Sequence, residues 1–300
     1  MNQFKKGGGN KMSQITTLEK IQNNKKITDN ELQIAIRNIY TPALLSVSKM
    51  KISYKMKLDN EPNKYGGRPI IYAVNHSCFQ DTPIICNAID EKAYILAGKQ
   101  ALLKEDELFF NLYGSIFLDR KDKEDMASAK IAMEEYLKKG QNLIVFPEAT
   151  WNLSDELLML PMKWGIIEIA KNTNAQIIPV VLRYDNETME CHIKYGQTIL
   201  VNERSSKQQK IEQLRDIMST IIWLDKVEKS ETLIRSEINV ESLRKEYRAV
   251  TEAYPLLDVD YEESVIFQPE TSPDEVFENV KKLELKRENA FLFYKNNIGM

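Results

Sequence analysis

Five short apolar runs separated by helical segments constrain the fold of this chain more than any other feature of its sequence. The runs lie at residues 69–74, 93–97, 115–118, 142–146 and 176–182. The clearest helical segment between them covers 123–139 and is followed by Gly140, a common helix stop. This alternation predicts an α/β fold with a mainly parallel sheet flanked by helices. Because Pro179 lies inside the last run, we expect that run to be a strand start or an edge strand.

The length and composition fit one large domain with an appended piece. The chain has 300 residues, of which 43% are hydrophobic and 28% charged, as is ordinary for a globular protein. Its three cysteines lack metal-ligand spacing, so we expect a reducing compartment and no metal site. No apolar run reaches the roughly 18 residues that a spanning helix needs, and the N-terminus is too polar for a signal peptide. We therefore expect a cytoplasmic protein without a transmembrane helix, peripheral on the inner face of the membrane.

Residues 1–48 are predicted to form a basic flexible lead followed by an amphipathic helix. Residues 1–70 hold 13 Lys and Arg against 5 Asp and Glu, a net charge of +8. This excess favours a membrane lipid surface as partner, with no nucleic acid, although a solvated charged face is the alternative. The helix covers 31–47, and Pro42 should bend it or break it in two. Its apolar stripe is expected either at a lipid interface or on the core, and consists of Leu32, Ile36, Ile39, Ala43 and Val47.

The two ends of the main domain have patterns of their own. Residues 49–58 alternate strictly between apolar and mostly lysine side chains, which predicts a half-buried strand at a sheet edge. Residues 207–224 have the spacing of an amphipathic helix. We divide the chain into 1–48, a domain at 49–225 and a helical or mixed extension at 226–300 whose role is unknown.

Polar residues follow several of the predicted strands. His76 and Asp81 follow the first, Arg120 follows the third, and Glu148 follows the fourth. Because the carboxyl ends of parallel strands share one edge of a sheet, we expect these side chains to converge in one crevice. A carboxylate five residues after a histidine is suited to hold one ring nitrogen while the other takes a proton from a hydroxyl.

These residues belong to four sequence blocks through which the chain resembles the glycerolipid acyltransferases, whose type members are the 1-acylglycerol-3-phosphate acyltransferases. The family blocks are N-H-x-x-x-x-D, G-x-x-F-x-x-R, F-P-E-G-T followed by Arg or Ser, and an apolar-Pro-apolar stretch. The matching residues here are Asn75, His76 and Asp81; Gly114, Phe117 and Arg120; Phe146, Pro147, Glu148 and Thr150; and the surroundings of Pro179. The resemblance covers about residues 50–225, with the blocks in the correct order.

The resemblance implies a glycerol-phosphate acyltransferase-like fold and the transfer of a fatty acyl group. The donor would be acyl-CoA or an acyl carrier protein thioester, and the acceptor the hydroxyl of a lysophospholipid or glycerolipid. No cofactor, metal or covalent intermediate is required. His76 would be the general base, oriented by Asp81, and Arg120 would hold an anionic head group. The predicted substrate-binding residues are Asn75, Gly114, Arg120, Glu148, Thr150 and Trp151.

Two departures from the third block bear on the acceptor. If the family glycine has a left-handed backbone conformation, the same conformation would cost Ala149 roughly 1–2 kcal/mol. We therefore expect the turn to have shifted. Trp151 replaces a cationic or small polar side chain with a flat apolar wall. Both changes weaken the case for lysophosphatidate and make a bulkier lysophospholipid or a glycolipid hydroxyl plausible.

Other interpretations of these residues stay open at this point. Cys78 lies two residues from His76 and could be the nucleophile of a Cys–His–Asp enzyme. Arg120 could merely pair with nearby carboxylates such as Asp122, and Glu148 could be a buried structural carboxylate. We assign no role to His192. The chain could also be a catalytically inactive membrane-associated binding protein that keeps the fold.

Overall fold

The computed structural model describes residues 28–89, 91–99, 104–152, 158–185, 188–228 and 239. Residues 1–27 of the predicted lead and nearly all of the predicted extension at 226–300 lie outside these residues. The helices are α1 (Glu31–Ser48), α2 (Asp81–Ala88), α3 (Lys104–Tyr113), α4 (Lys123–Lys138), α5 (Gly165–Thr173) and α6 (Lys207–Glu228). The strands are β1 (Lys55–Leu58), β2 (Ile70–Val74), β3 (Ala93–Gly98), β4 (Ser115–Leu118), β5 (Asn142–Val145), β6 (Gln176–Asp185), β7 (Glu190–Tyr195) and β8 (Ile199–Leu200).

The described strands form one mainly parallel sheet covered on both faces, which confirms the predicted fold class. The strand order is β1-β7-β6-β2-β5-β3-β4, and β8 pairs with β6. β7 and β8 run antiparallel to β6, and the other pairs are parallel. Side chains of α4, α5 and α6 pack with one face of the sheet, and those of α1, α2 and α3 with the other. The carboxyl ends of β2, β5, β3 and β4 therefore lie side by side at one edge.

Pro179 lies in the middle of β6, so the prediction of a strand start or edge strand is wrong. β6 is paired on both sides, with β2 on one and with β7 and β8 on the other. The Gln176 N–H donates to Pro69 on the β2 side, so alternation along the strand turns the Pro179 nitrogen to the opposite side. There the ladder with β8 ends at Ile177 and the ladder with β7 begins at Val180. The missing donor thus falls in the gap between two partner strands.

α1 is one continuous helix, and Pro42 lies inside it without breaking it in two. Proline removes the helical donor to the residue four positions earlier. That residue is Asn38, and the Lys92 Nζ donates to its carbonyl oxygen instead. A side chain from outside the helix therefore satisfies the orphan carbonyl.

The predicted apolar stripe of α1 does not cap the core. Ile34, Arg37 and Thr41 are the buried residues in the body of the helix. All five stripe residues are exposed, namely Leu32, Ile36, Ile39, Ala43 and Val47. The segment that follows differs from its prediction as well, because Lys49–Lys51 is a 3-10 turn and the strand begins at Lys55. β1 does lie at an edge of the sheet, as predicted.

Candidate active site

His76 and Asp81 form a hydrogen-bonded pair where β2 gives way to α2. His76 Nδ1 lies 2.8 Å from Asp81 Oδ2, and the Asp81 side chain is fully buried. The same oxygen accepts the backbone N–H groups of Ser77 at 2.5 Å and Cys78 at 2.9 Å. The short turn into the helix therefore fixes the carboxylate. Because Nδ1 donates to the carboxylate, Nε2 is left to accept a proton.

Tyr184, which the sequence reasoning missed, completes the shell of donors around Asp81. Its hydroxyl donates to Asp81 Oδ1 at 2.5 Å. Tyr184 lies on β6 two residues after Leu182 and four after Val180, both in the core on the α2 side of the sheet. The period of two along a strand was the signal that could have placed it there.

The turn after β5 packs against the imidazole. Phe146 stacks on His76 with ring centroids 4.1 Å apart, and Trp151 meets it edge-on at 5.9 Å. The Asn152 N–H donates to the His76 carbonyl oxygen at 2.7 Å. Together these contacts hold the histidine between two aromatic side chains.

Glu148 is buried behind His76 and bonds two backbone segments of the site. Its Oε1 accepts the His76 backbone N–H at 3.0 Å and its Oε2 accepts the Leu160 N–H at 2.7 Å. Burial raises the pKa of Glu148 to about 7, opposed by these two backbone donors and assisted by the charge of Asp81. Since both oxygens hold backbone groups, the contacts favour the structural carboxylate over a substrate contact.

Asn75 and Gly114 also make structural contacts. The Asn75 side chain accepts the Leu182 N–H at 2.7 Å and donates to the Leu182 carbonyl at 3.1 Å, which ties β2 to β6. Gly114 has φ +106° and precedes β4, so it lies at the sheet edge opposite His76. A Cβ there would overlap the Arg37 guanidinium. For both residues the geometry favours a structural role over the predicted substrate contact.

Ala149 adopts the left-handed conformation, with φ 63°, so the expectation that the turn has shifted is wrong. The Arg120 guanidinium donates to the Ala149 carbonyl oxygen, which holds the strained turn in place. Asp122 does not pair with Arg120 in the described part of the chain. It caps α4 instead, accepting the Glu124 N–H at 2.9 Å.

His76 and Arg120 both line a cavity of about 680 Å³ at the carboxyl edge of the sheet. The cavity extends between the sheet, α1 and α3. Its walls are largely apolar and include Leu44, Phe79, Ile95, Phe109, Phe110 and Trp151. Thr150 is buried next to Trp151, and it does not belong to the lining among the described residues. The space therefore combines a base, a cation and an apolar chamber.

The environment of Cys78 disfavours a nucleophilic thiolate. Burial, and then the charge of Asp81, raise the pKa of the Cys78 thiol well above its usual range. Among the described residues, no cluster of His, Cys, Asp and Glu side chains is arranged to hold a metal ion. No helix of the described segments is long and apolar enough to span a bilayer.

Comparison with known proteins bears on what this site is. The acyltransferase family model matches residues 55–183, which include all four sequence blocks. The chain is 31% identical over 153 residues to the 1-acyl-sn-glycerol-3-phosphate acyltransferase of Saccharomyces cerevisiae, covering 50% of this chain and 49% of that protein. It is 36% identical over 75 residues to the enzyme of the same name from Neisseria gonorrhoeae, covering 25% and 29%. Residues 55–183 therefore match the acyltransferase family, and these two relatives are both named 1-acyl-sn-glycerol-3-phosphate acyltransferases.

The fold is that of this family as well. The crystal structure of the 1-acyl-sn-glycerophosphate (LPA) acyltransferase PlsC from Thermotoga maritima matches with a TM-score of 0.52 at 16% identity. The match covers 72% of this chain and 91% of that one. The alignments with the two curated relatives span half or less of their lengths. The similarity therefore concerns the sheet and the four sequence blocks that it carries.

Proposed function

We propose that this protein is an acyltransferase of the 1-acylglycerol-3-phosphate type. It moves a fatty acyl group from the thioester of CoA or of an acyl carrier protein to the hydroxyl of a lysophospholipid. The observation that carries the proposal is the His76–Asp81 pair on a largely apolar cavity of about 680 Å³ that also contains Arg120. The names of the relatives support the same reaction type.

The chemistry needs one base and one good leaving group. His76 Nε2 removes the proton of the acceptor hydroxyl, and the oxygen attacks the thioester carbonyl carbon. The carbon–sulfur bond then breaks, an ester forms, and the departing thiolate takes the proton from His76. Asp81 stabilises the imidazolium between these two steps. A positioned base of this kind contributes roughly 100- to 10,000-fold to the rate.

Arg120 is the group that we propose for an anionic acceptor head. One guanidinium nitrogen donates to the Ala149 carbonyl oxygen, which fixes the orientation of the guanidinium plane. The guanidinium carries further donors, and the side chain lines the cavity. Ala149 no longer argues against lysophosphatidate, because the turn keeps the left-handed shape. Trp151 remains the departure that favours a bulkier lysophospholipid or a glycolipid.

The activity is tested by offering donors and acceptors together. The purified full chain is incubated with radiolabelled palmitoyl-CoA or palmitoyl carrier protein and with lysophosphatidate, lysophosphatidylcholine or a monoacyl glycolipid. We expect labelled diacyl product and an equal amount of free thiol from at least one pair of donor and acceptor. Binding of the lipids with no product from any pair would instead support a catalytically inactive binding protein.

We further propose that α1 docks the protein on the inner face of a membrane. Leu32, Ile36 and Ile39 are exposed on it, and its Leu44 and Val47 reach the cavity. The net charge of +8 over residues 1–70 adds attraction to anionic lipid. A lipid substrate would then enter the cavity from the surface on which the helix rests.

Vesicle co-sedimentation tests the docking. We expect binding to vesicles of phosphatidylcholine and phosphatidylglycerol that weakens with salt, because exposed charges are screened. Ile39→Asp, at a side chain that is 80% exposed, should weaken binding without unfolding the protein. Ile131→Asp on α4, which is 59% exposed, is the matched control and should bind as wild type. Equal binding by both variants, at any lipid charge and salt, would contradict the proposal.

A further inference from the structure

Tyr184 contacts the carboxylate of the His76–Asp81 pair from outside the four sequence blocks. Its hydroxyl donates to Oδ1 of Asp81 at 2.5 Å, whereas His76 Nδ1 bonds Oδ2 at 2.8 Å. The carboxylate therefore lies between the phenol and the imidazole, one oxygen for each. Burial, and then the charge of Asp81, raise the pKa of Tyr184 well above its usual range, so the hydroxyl keeps its proton and stays a donor.

β6 supports both ends of the turn that carries His76. Backbone groups of Leu182 clamp the Asn75 side chain, and Tyr184 two residues later holds Asp81. The phenol ring is fixed by Tyr54, edge-on at a centroid distance of 4.8 Å. Because β6 is paired on both sides, it offers a stiff frame against which the turn is set.

We propose that Tyr184 is a positioning residue for the His76–Asp81 pair. Its bond fixes the plane of the carboxylate, so that Oδ2 is presented to His76. It also draws part of the negative charge towards Oδ1, which limits how strongly Asp81 stabilises a protonated imidazole. The catalytic consequence rests on the proposed function, whereas the effect on the imidazole does not.

Apart from His76, the donors to Asp81 are the backbone N–H groups of Ser77 and Cys78, the Cys78 thiol and the Tyr184 hydroxyl. The titratable and charged groups that face the pair come from several elements and from the cavity, namely Tyr54, Cys78, Glu148, Tyr184, Cys191, Lys51, Glu105, Asp106 and Arg120. Of these, Tyr184 donates at 2.5 Å to the oxygen that His76 does not use, and the Cys78 thiol lies 3.9 Å from the same oxygen.

Removing the phenol oxygen should strengthen the hold of Asp81 on a protonated His76. In Tyr184→Phe we expect the midpoint of the His76 titration to rise by about 0.5–1 pH unit, a fraction of a charged hydrogen bond. The acid limb of the pH dependence of kcat/KM should move up by the same amount. A side chain that merely filled space would lower the rate equally at every pH.

Histidine NMR measures the midpoint without any turnover. The chain has two histidines, so labelled full-length protein gives two imidazole signals, and His192→Gln assigns them. Tyr72→Phe is the matched control, because Tyr72 also donates to a carboxylate, Glu91, at 2.5 Å. We expect Tyr184→Phe to raise the His76 midpoint, with that of His192 unchanged and with neither moved by Tyr72→Phe. A His76 midpoint that stays or falls in Tyr184→Phe would overturn the proposal.

A second substitution at the same position tests the proposal even if Tyr184→Phe does not fold. Site-specific 3,5-difluorotyrosine at 184 keeps the ring and makes the hydroxyl a stronger donor, so the His76 midpoint should fall. No change with this residue would overturn the proposal as firmly as no change in Tyr184→Phe. If the wild type transfers no acyl group, the proposed function fails, and the titration still decides the role of Tyr184.

Discussion

Two histidines of this protein are paired with carboxylates in nearly the same way, and their surroundings differ. His76 Nδ1 lies 2.8 Å from Asp81, and His192 Nδ1 lies 2.9 Å from Asp59. The imidazoles are equally exposed, at 18% and 19%, but the carboxylates are 0% and 29% exposed. The other nitrogen of His192 faces Glu190 at 3.7 Å, whereas His76 lines the cavity. A histidine–carboxylate distance alone therefore does not mark a catalytic site.

The two pairs differ in their position in the sheet and in the groups that surround their carboxylates. Asp81 is held by two backbone N–H groups and a phenol at the carboxyl edge of parallel strands. His192 lies on β7 beside the edge strand β1, surrounded by exposed charges such as Lys57. Water screens an exposed pair and weakens it. We infer that the buried carboxylate, the available nitrogen and the cavity together make His76 a base.

The largest effect among the paired substitutions is expected at the carboxylates. Asp81→Asn removes the charge that orients His76 and stabilises the imidazolium, so acyl transfer should fall by about 100-fold or more. Asp59→Asn makes the same chemical change at the other pair and should leave the rate within about two-fold. Initial rates with saturating lysophosphatidate measure both. Similar losses in the two variants would show that the buried setting is irrelevant.

The next largest effect is expected at Arg120, the cation of the cavity, and should be confined to the KM for the acceptor. Arg120→Ala should raise the KM for the acceptor by roughly 10- to 100-fold, as expected for lost charged hydrogen bonds, while the donor KM stays unchanged. Lysine should rescue only in part, since a point charge does not reproduce the fork. Lys123→Ala, which removes an exposed cation nearby, is the control. An equal rise in both KM values would argue against a head-group contact.

Glu148 and Glu190 should respond to pH in opposite directions. The pKa of Glu148 is raised from 4.5 to about 7 in the folded protein. The stability that this shift contributes is therefore fully present below pH 4.5 and is lost as the pH rises to about 7. The difference in unfolding free energy between wild type and Glu148→Gln should therefore shrink by about 2–3 kcal/mol between pH 5 and pH 8. The hydrogen bond from Lys57 lowers the pKa of Glu190, so the difference for Glu190→Gln should instead diminish towards acid pH. Urea unfolding at several pH values measures both, and parallel trends would contradict the assignment.

The smallest effect is expected at the strained turn. Ala149→Gly should raise the unfolding free energy by up to about 1 kcal/mol, because relief of the left-handed strain exceeds the added entropy of the unfolded chain. Ala127→Gly in the exposed part of α4 should lower it by about 1 kcal/mol. Thermal unfolding compares the two. A loss of stability at both positions would show that Ala149 is not strained.

Much of the architecture could be predicted because it depends on local patterns. Short apolar runs between amphipathic helices fixed the parallel strands, and the strand ends indicated where His76 and Arg120 would meet. The helix at 123–139 is observed as Lys123–Lys138, and the one at 207–224 as Lys207–Glu228. These features depend on periodicity and helix stops, which a single sequence displays.

The failures depend on tertiary partners that a sequence does not display. Pro179 is tolerated inside β6 because two other strands leave a gap beside it. The stripe of α1 faces outward because Arg37, lying 3.5 Å over the ring of Tyr94, takes the inner side of the helix. Ala149 keeps its conformation beside the guanidinium of Arg120. Tyr184 donates a hydrogen bond to Asp81, which lies 103 positions earlier in the sequence.

The most direct test of the account is acyl transfer by His76→Ala beside His192→Ala. Both variants lose an imidazole paired with a carboxylate, and thermal unfolding checks that both remain folded. We predict that His76→Ala loses transfer by at least about 100-fold, measured as radiolabelled diacyl lipid and released thiol, while His192→Ala keeps the wild-type rate. Near-normal transfer by folded His76→Ala, or an equal loss in His192→Ala, would contradict the assignment of His76 as the base.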